Sequence, residues 1–419
     1  MSLNSTPGSE RIHIGFFGCR NAGKSSVVNA VTGQDTAVVS DIRGTTTDPV
    51  TKAMELLPLG PVMIIDTPGF DDEGKLGELR IIRTKRILNK TDIAVLVIDS
   101  TIGMNESDRE LLDIFVEKMI PYIIVYNKSD LIAYNKSDML ESEKNVTDVK
   151  SGEGSKAESE MIFVSARTGE GITELKELLG KLAPKQDPEH RLAAGLIGFG
   201  ETAVLVCPID ESAPKGRLIL PQQQTIRDVL DFGALAYVTR ETELKELLDS
   251  LKEPPAIVIT DSQALGTVKD TVPDDVPLTT FSIIMARYKG FLKTAVEGIA
   301  SARNLQEDDI ILMAEGCTHH RQCNDIGTVK IPRLLQSYCG KKLRFETCSG
   351  REFPEDLSRY AMVIHCGACM NTDRDVQYRM KCTRDQGKPF ANYGITLAQM
   401  TGTLERTLRC FPDIHKLLK

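Results

Sequence analysis

The eight residues Gly18-Cys-Arg-Asn-Ala-Gly-Lys-Ser25 constrain this chain more than any other stretch. They fit the spacing G-x-x-x-x-G-K-S and fall between an apolar run at 12–17 and a helical pattern at 25–32. Glycine at both ends lets the backbone curl so that its N–H groups converge on phosphate oxygens. Lys24 then reaches the β- and γ-phosphates, the Ser25 hydroxyl binds Mg²⁺, and the helix that follows adds its positive end. The rest of 11–183 agrees. Candidate strands at 62–65, 93–98, 122–126 and 161–164 alternate with helical patterns at 106–119 and 172–182. Such alternation predicts a doubly wound α/β domain.

Three shorter patterns follow in order. Asp66-Thr-Pro-Gly69 ends a strand, where Asp66 is placed to hold Mg²⁺ through water and the Gly69 N–H to meet the γ-phosphate. Asn127-Lys-Ser-Asp130 ends the next but one. A carboxylate there accepts from both N1–H and the N2 amine of guanine, donors that adenine lacks, so Asp130 selects GTP over ATP. Ser165-Ala-Arg167 follows the last strand, where a backbone N–H meets guanine O6. Each pattern alone is weak, and D-x-x-G by itself is more often a turn. Their order on matching elements reads as a GTP-binding domain of the small-GTPase type. The nucleotide set is then Gly18, Asn21, Ala22, Gly23, Lys24, Ser25, Ser26, Asn127, Lys128, Asp130, Ser165 and Ala166. A second Asn135-Lys-Ser-Asp138 has no strand before it and reads as a surface duplication beside a polar insertion at 137–160.

With 419 residues and about 150 per domain, two or three domains are expected. Lys and Arg number 51 against 59 Asp and Glu, a net charge of −8 that argues against a nucleic-acid coat. No apolar run reaches the length of a membrane helix, and the first eleven residues lack the apolar core of a secretory leader. The expected place is the cytoplasm, with no membrane partner. Residues 183–188 read as a linker, followed by strands at 202–207, 235–239 and 256–260 and helices at 225–232 and 241–251. Prolines at 273 and 277 mark the next boundary, 281–285 reads as one more strand, and the remainder reads as mainly helical. The resulting domains are 1–183, 184–272 and 273–419, all α/β, with no repeat of 20 to 50 residues.

Thiols are unevenly spread. Only Cys19 and Cys207 precede residue 300, and the other eight lie between Cys317 and Cys410. A reducing compartment makes a disulfide framework the wrong reading. Cys317-Thr-His319 and His365-Cys-Gly-Ala-Cys369 together form a chelating set, since C-x-x-C brings two thiolates onto one metal centre. Tetrahedral zinc and a 4Fe–4S cluster with one non-cysteine ligand both suit that set. Cys323, Cys339, Cys348, Cys382 and Cys410 read as small buried hydrophobes.

Two resemblances sharpen this. Gly44-Thr-Thr-Thr-Asp48 resembles the first switch of the TrmE and Era GTPases, G-T-T-x-D. The likeness implies that Thr46 supplies a second hydroxyl to Mg²⁺, with Ser25 and Asp66, and that Lys24, Thr46, Asp66 and Gly69 form the catalytic set. It implies K⁺ at Asn21 and potassium-stimulated hydrolysis. Position 70 is Phe70 where Ras-like proteins carry a water-orienting glutamine, so slow turnover is implied. Over its whole length the chain resembles the HydF family, the maturation GTPases of FeFe-hydrogenases. That likeness rests on the GTPase motifs, C-x-H … H-C-x-x-C, the segment from Pro214 to Val229, and Asn392-Tyr-Gly394. It implies a GTPase domain, a central homodimerisation domain and a domain in which Cys317, Cys366 and Cys369 hold a 4Fe–4S cluster, with His319 or His365 near an exchangeable fourth position. It further implies a scaffold that takes a di-iron precursor from radical-SAM maturases and delivers it to apo FeFe-hydrogenase. The competing reading is a TrmE-like, RNA-associated GTPase with a structural zinc domain.

Overall fold

A computed structural model describes residues 6–33, 50–67, 84–131, 159–184, 191–209, 218–316, 325–350 and 353–418 of the chain. The residues fall into two compact units, 1–185 and 186–419. No helix among the described residues is long and apolar enough to cross a membrane.

The first unit is a six-stranded sheet. Its strands are β1 (Ile12–Phe17), β2 (Val50–Leu56), β3 (Gly60–Asp66), β4 (Ile93–Asp99), β5 (Tyr122–Asn127) and β6 (Ser159–Phe163), in the order β2-β3-β1-β4-β5-β6. All pairings are parallel except β2 with β3, an antiparallel pair at the edge. The alternation of side chains across β4 explains why the sheet is covered on both faces. Ile93, Val95 and Val97 pack with Val27, Val28 and Val31 of α1 (Lys24–Thr32) and Leu175 and Leu179 of α3 (Ile172–Leu182). Ala94, Leu96 and Ile98 pack instead with Leu111 and Phe115 of α2 (Glu106–Glu117). Two apolar layers on a parallel sheet are the doubly wound arrangement. β2, which is exposed along one side at Thr51, Ala53 and Glu55, is the strand that the sequence pattern does not announce.

The second unit holds two four-stranded parallel sheets. One contains β7 (Thr202–Val206), β8 (Leu235–Thr239), β9 (Ile257–Thr260) and β10 (Leu278–Thr280), in the order β10-β9-β7-β8. The other contains β11 (Ile310–Glu315), β12 (Arg344–Ser349), β13 (Met362–His365) and β14 (Phe390–Asn392), in the order β12-β11-β13-β14. Read from opposite edges, the two orders are the same: fourth, third, first, second. The connections match too. The first strand of each leads to a helix with proline in its first turn, α4 (Leu220–Asp231) and α9 (Ile331–Cys339). Helices α5 (Leu244–Ser250) and α6 (Leu265–Thr271) complete the first copy, and α8 (Leu292–Ala300) and α10 (Asp373–Asp385) serve the second. The last strand of each ends on a residue whose side chain caps the next helix. Thr280 accepts from the Ile283 N–H at the start of α7 (Phe281–Tyr288), and Asn392 from the Ile395 N–H at the start of α11 (Tyr393–Met400). The segments Pro277-Leu-Thr-Thr-Phe-Ser-Ile283 and Pro389-Phe-Ala-Asn-Tyr-Gly-Ile395 are therefore counterparts. Counterpart residues also touch: a Cβ on Gly394 would lie 2.3 Å from the Cβ of Ser282. The unit is a structural repeat of one topology, each copy longer than 50 residues.

Three expectations change. The run at 281–285 is helix, not strand: all of it but Ser282 is apolar and buried, which periodicity cannot resolve, and the Thr280 cap decides for helix. The segment after it is mainly helical as read, but it also holds a sheet that the reading lacks, because β11, β13 and β14 are short strands buried on both faces and read as bare apolar runs. The middle sheet also takes its fourth strand from 278–280, beyond the boundary placed at 272. Of the remaining thiols, Cys348 is buried in the core and Cys339, Cys382 and Cys410 pack against it; Cys323 lies outside the described residues.

The contact between the copies gives a direct test. Gly394→Ala should cost about 1–3 kcal/mol through overpacking against Ser282, and Ser282→Gly in the same chain should recover part of it. Urea unfolding of the two variants and the parent checks both expectations.

Candidate functional site

In the first unit the carboxyl ends of β1, β3, β4 and β5 deliver Gly18, Asp66, Asp99 and Asn127 to one edge of the sheet. Ligands bind at that edge in open α/β sheets. The loop after β1 depends on backbone conformations that glycine allows. Gly18 has φ +133° and a Cβ there would sit 2.2 Å from the Val97 carbonyl oxygen; Gly23 has φ +89° and its Cβ would meet Asn127 Nδ2 at 2.2 Å. The Lys24 ammonium is buried and folds back onto the loop, donating to the carbonyls of Gly18 (2.9 Å) and Cys19 (2.7 Å). Ser25 Oγ donates to Asp66 Oδ2 at 2.7 Å. The other oxygen of Asp66 is buried without a hydrogen-bond partner, and burial raises its pKa against the opposing pull of Ser25 and Lys24. A hydroxyl beside a half-satisfied buried carboxylate is a donor set that fits a hard dication.

Asn127 ties the phosphate loop to the base side. Its Nδ2 donates to the Ala22 carbonyl (3.0 Å), and its Oδ1 accepts from the Ala166 N–H (3.1 Å). Lys128, at φ +65°, donates to the Asn21 carbonyl (2.9 Å) and pairs with Asp99. Asp130 accepts from Ser165 Oγ at 2.7 Å and pairs with Arg167 at 2.6 Å. The Ser165 hydroxyl, helped by Arg167, holds its carboxyl below the usual range, so it is an acceptor at neutral pH. All twelve nucleotide residues read from the sequence lie in described segments; Ser26 follows Ser25 in the first turn of α1. Asp99 was missed, because an acidic residue at a strand end carries no pattern of its own. Gly44, Thr46, Gly69, Phe70 and the Asn135–Asp138 duplicate lie outside the described residues.

The second candidate site sits at the carboxyl end of β13. Cys366 continues the strand by donating its N–H to the Ala314 carbonyl at 2.8 Å. Its Sγ accepts from two backbone amides, Gly316 N–H at 3.1 Å and Ala368 N–H at 3.5 Å, the second made possible by φ +59° at Ala368. Amide donors aimed at sulfur favour the thiolate, which is the form that binds a metal. Cys366 and Cys369 are both half-buried. Cys317 and His319 lie outside the described residues, and among those described no three metal-ligating side chains gather.

His365 behaves otherwise than its spacing suggested. The ring is fully buried. Nε2 lies 3.2 Å from Arg379 Nη1, and a guanidinium only donates, so Nε2 accepts. Nδ1 therefore carries the proton and donates to the Cys366 carbonyl at 2.9 Å. Burial first, then the Arg379 charge, pushes its pKa down to about 4, and the ring is neutral. Both nitrogens are engaged, so in this arrangement His365 has none to offer a metal. Arg379, Asp375, Asn371 and Glu315 around it were not singled out from sequence; charged residues on a polar helix such as α10 read as a solvated face.

Comparison with known families covers both regions of the chain. Residues 13–128 match the model described as 50S ribosome-binding GTPase. Residues 192–290 match the hydrogen maturase F dimerization domain, and 293–410 the hydrogen maturase F tetramerization domain. The chain belongs to the hydrogen maturase F family. Its two family-specific models correspond to the two copies of the repeated α/β unit. Among curated proteins, GTPase Der of Fusobacterium nucleatum is 32% identical over 198 residues, 45% of this chain and 42% of that protein. GTPase Der of Lachnospira eligens is 34% identical over 181 residues, 42% of this chain and 40% of that protein. The chain thus spans less than half the length of these relatives.

In this member of the family, Gly23→Ala should force Asn127 away from the phosphate loop, since the new Cβ has no room and the positive φ strains it. At least a tenfold loss of guanine-nucleotide affinity is expected, about 1.4 kcal/mol or more, with little change in the melting of the second unit. Fluorescent-nucleotide titration and calorimetry measure the two.

Proposed function

We propose that this chain is a GTP-hydrolysing scaffold that holds a 4Fe–4S cluster and carries a di-iron precursor to apo FeFe-hydrogenase. The observation that carries this reading is the Cys366 sulfur held under two backbone amides at the carboxyl end of β13, within the hydrogen maturase F match. Cys366 and Cys369, with Cys317, would hold the cluster, and His319 remains a candidate beside the fourth position. When bound, the cluster supplies an iron with an exchangeable ligand to which the precursor can attach.

GTP is the substrate of the first unit. Gly18, Gly23 and Lys24 cradle the phosphates, Ser25 and Asp66 hold Mg²⁺ with Thr46, and Asp130 reads the base with Ser165 and Ala166. Asn21 is the proposed potassium contact, and its peptide is already fixed by Lys128 on its carbonyl. Hydrolysis is slow, because Phe70 offers nothing to orient water, and it is stimulated by K⁺. Nucleotide state sets when cargo and partners, the radical-SAM maturases and the apo-hydrogenase, are held or released. The proposed setting is the cytoplasm.

Self-association is assigned to a second copy of this chain at β8. This edge strand exposes Leu235, Tyr237 and Val238 beside exposed Leu230 and Phe232, an apolar rim on an open sheet edge. It lies inside the dimerization-domain match. Leu235→Glu combined with Tyr237→Glu should convert dimer to monomer in sedimentation velocity; an unchanged dimer moves the interface elsewhere.

Iron, sulfide, electron paramagnetic resonance and GTPase rates in K⁺ and Na⁺, measured on the same anaerobic preparations, test the whole reading. Cys317→Ala, Cys366→Ala and Cys369→Ala should each lose most bound iron yet keep hydrolysis, while Lys24→Ala should lose hydrolysis in either salt and keep the iron. Equal rates in the two salts remove the potassium role. One zinc per chain without sulfide replaces the cluster with structural zinc.

A further inference from the structure

Arg379 is the one arginine buried among the described residues, at 1% exposure. A buried guanidinium is tolerated only when its donors are satisfied. Here they reach three strands at once. Nη1 lies 3.2 Å from His365 Nε2 at the end of β13 and 3.4 Å from the Glu315 carbonyl at the end of β11. Nη2 donates to the carbonyl of Gly350, just past β12, at 2.6 Å. Asp375 supplies the counter-charge at 3.2–3.3 Å. Asp375 in turn accepts from Asn371 Nδ2, and the Asn371 carbonyl is held by buried Lys289 at 2.8 Å.

Two hydrogen-bonded paths run from this guanidinium to Cys366. The Glu315 carbonyl and the Gly316 N–H belong to one trans peptide plane and point in opposite directions. Arg379 holds one end of that plane, and the other donates to Cys366 Sγ. A cation on the carbonyl also polarises the amide and strengthens its N–H donor. The second path is the imidazole of His365, gripped by Arg379 on Nε2 and donating from Nδ1 to the Cys366 carbonyl.

The repeated unit shows that the fold does not require this arrangement. In the middle sheet Val206 pairs with Thr260, as Ala314 pairs with His365 in the other. Thr260 thus stands where His365 stands, Asp261 follows it in place of Cys366, and no buried arginine joins them among the described residues. The same topology forms without the network in the sheet that has no C-x-x-C loop.

We propose that Arg379 is a positioning residue that sets the Cys366 sulfur and its loop for metal before metal arrives, acting through His365 and the Glu315–Gly316 peptide. The inference rests on reading 366–369 as the cluster loop, and the experiment separates the two. Full-length Arg379→Met, Arg379→Lys and His365→Gln chains are prepared anaerobically. Cys366 alkylation by iodoacetamide is timed by mass spectrometry on metal-free protein. Iron, sulfide and the paramagnetic spectrum are then read after reconstitution, with thermal midpoint and sedimentation as folding controls. Arg379→Met should shift the Cys366 alkylation rate several-fold from the parent's, hold its cluster about tenfold or more weakly and show an altered spectrum, with partial recovery in Arg379→Lys. A folded Arg379→Met chain with parental alkylation, iron and spectrum overturns the proposal. If that variant does not fold, parental values in both Arg379→Lys and His365→Gln overturn it instead. A parent chain that takes up no iron or sulfide defeats the cluster reading alone, because the alkylation rates still decide whether Arg379 sets the loop.

Discussion

Parallel strand pairing is the constraint from which the rest follows. Every described pairing except β2 with β3 is parallel. A parallel pair cannot be closed by a tight turn, so each strand returns through a crossover, and all the strand-to-crossover loops of one sheet gather at its carboxyl edge. The phosphate loop, Asp66, Asp99 and Asn127 meet for that reason in the first unit. Glu315, Gly350, Cys366 and Asn392 meet for the same reason in the second. Neither site needed a special fold; each needed the right residues at strand ends that topology had already brought together.

What could be read from the sequence divides along physical lines. The nucleotide site was legible because its chemistry depends on short contiguous motifs at fixed offsets from strands: Gly23 and Lys24 sit where the loop meets α1, and Asn127 where β5 ends. The C-terminal sheet was not legible, since strands of three to six residues buried on both faces carry no alternation to distinguish them from helix. Phe281 to Met285 failed in the opposite sense, a buried apolar run whose helical state was decided by one threonine side chain. The repeat escaped because its two copies share topology and caps, with little more than Pro277 to Ile283 and Pro389 to Ile395 in common. The Arg379 network escaped because its members come from four separate stretches of chain, and only folding assembles them.

The repeated topology also carries two different sets of residues. Each copy has an outer second strand and an inner carboxyl edge. In the middle copy the outer strand, β8, is apolar and exposed, while its carboxyl edge carries Thr260 and Thr280, side chains that pack and cap. In the last copy the outer strand, β12, exposes Arg344 and Thr347, and its carboxyl edge carries the thiols. Separating the exposed apolar strand from the thiol loop frees each to change without the other. A mutation at Leu235 alters an edge that the 366–369 loop does not share.

The role reversal at His365 carries a broader point about histidine beside C-x-x-C. Spacing alone makes it a ligand candidate, because imidazole binds both zinc and iron. Burial changes the accounting. A fully buried ring must satisfy both nitrogens, and here a cation that can only donate takes one while the adjacent backbone takes the other. Releasing Nε2 to a metal would leave an Arg379 donor without its partner in the same buried space, a cost of about 1–3 kcal/mol or more for a charged group. For a cluster held by Cys317, Cys366 and Cys369, the fourth iron position then does not fall to this ring. The proposed cluster, with its exchangeable fourth ligand, is better served by a histidine that holds the neighbouring backbone in place than by one that occupies the opening.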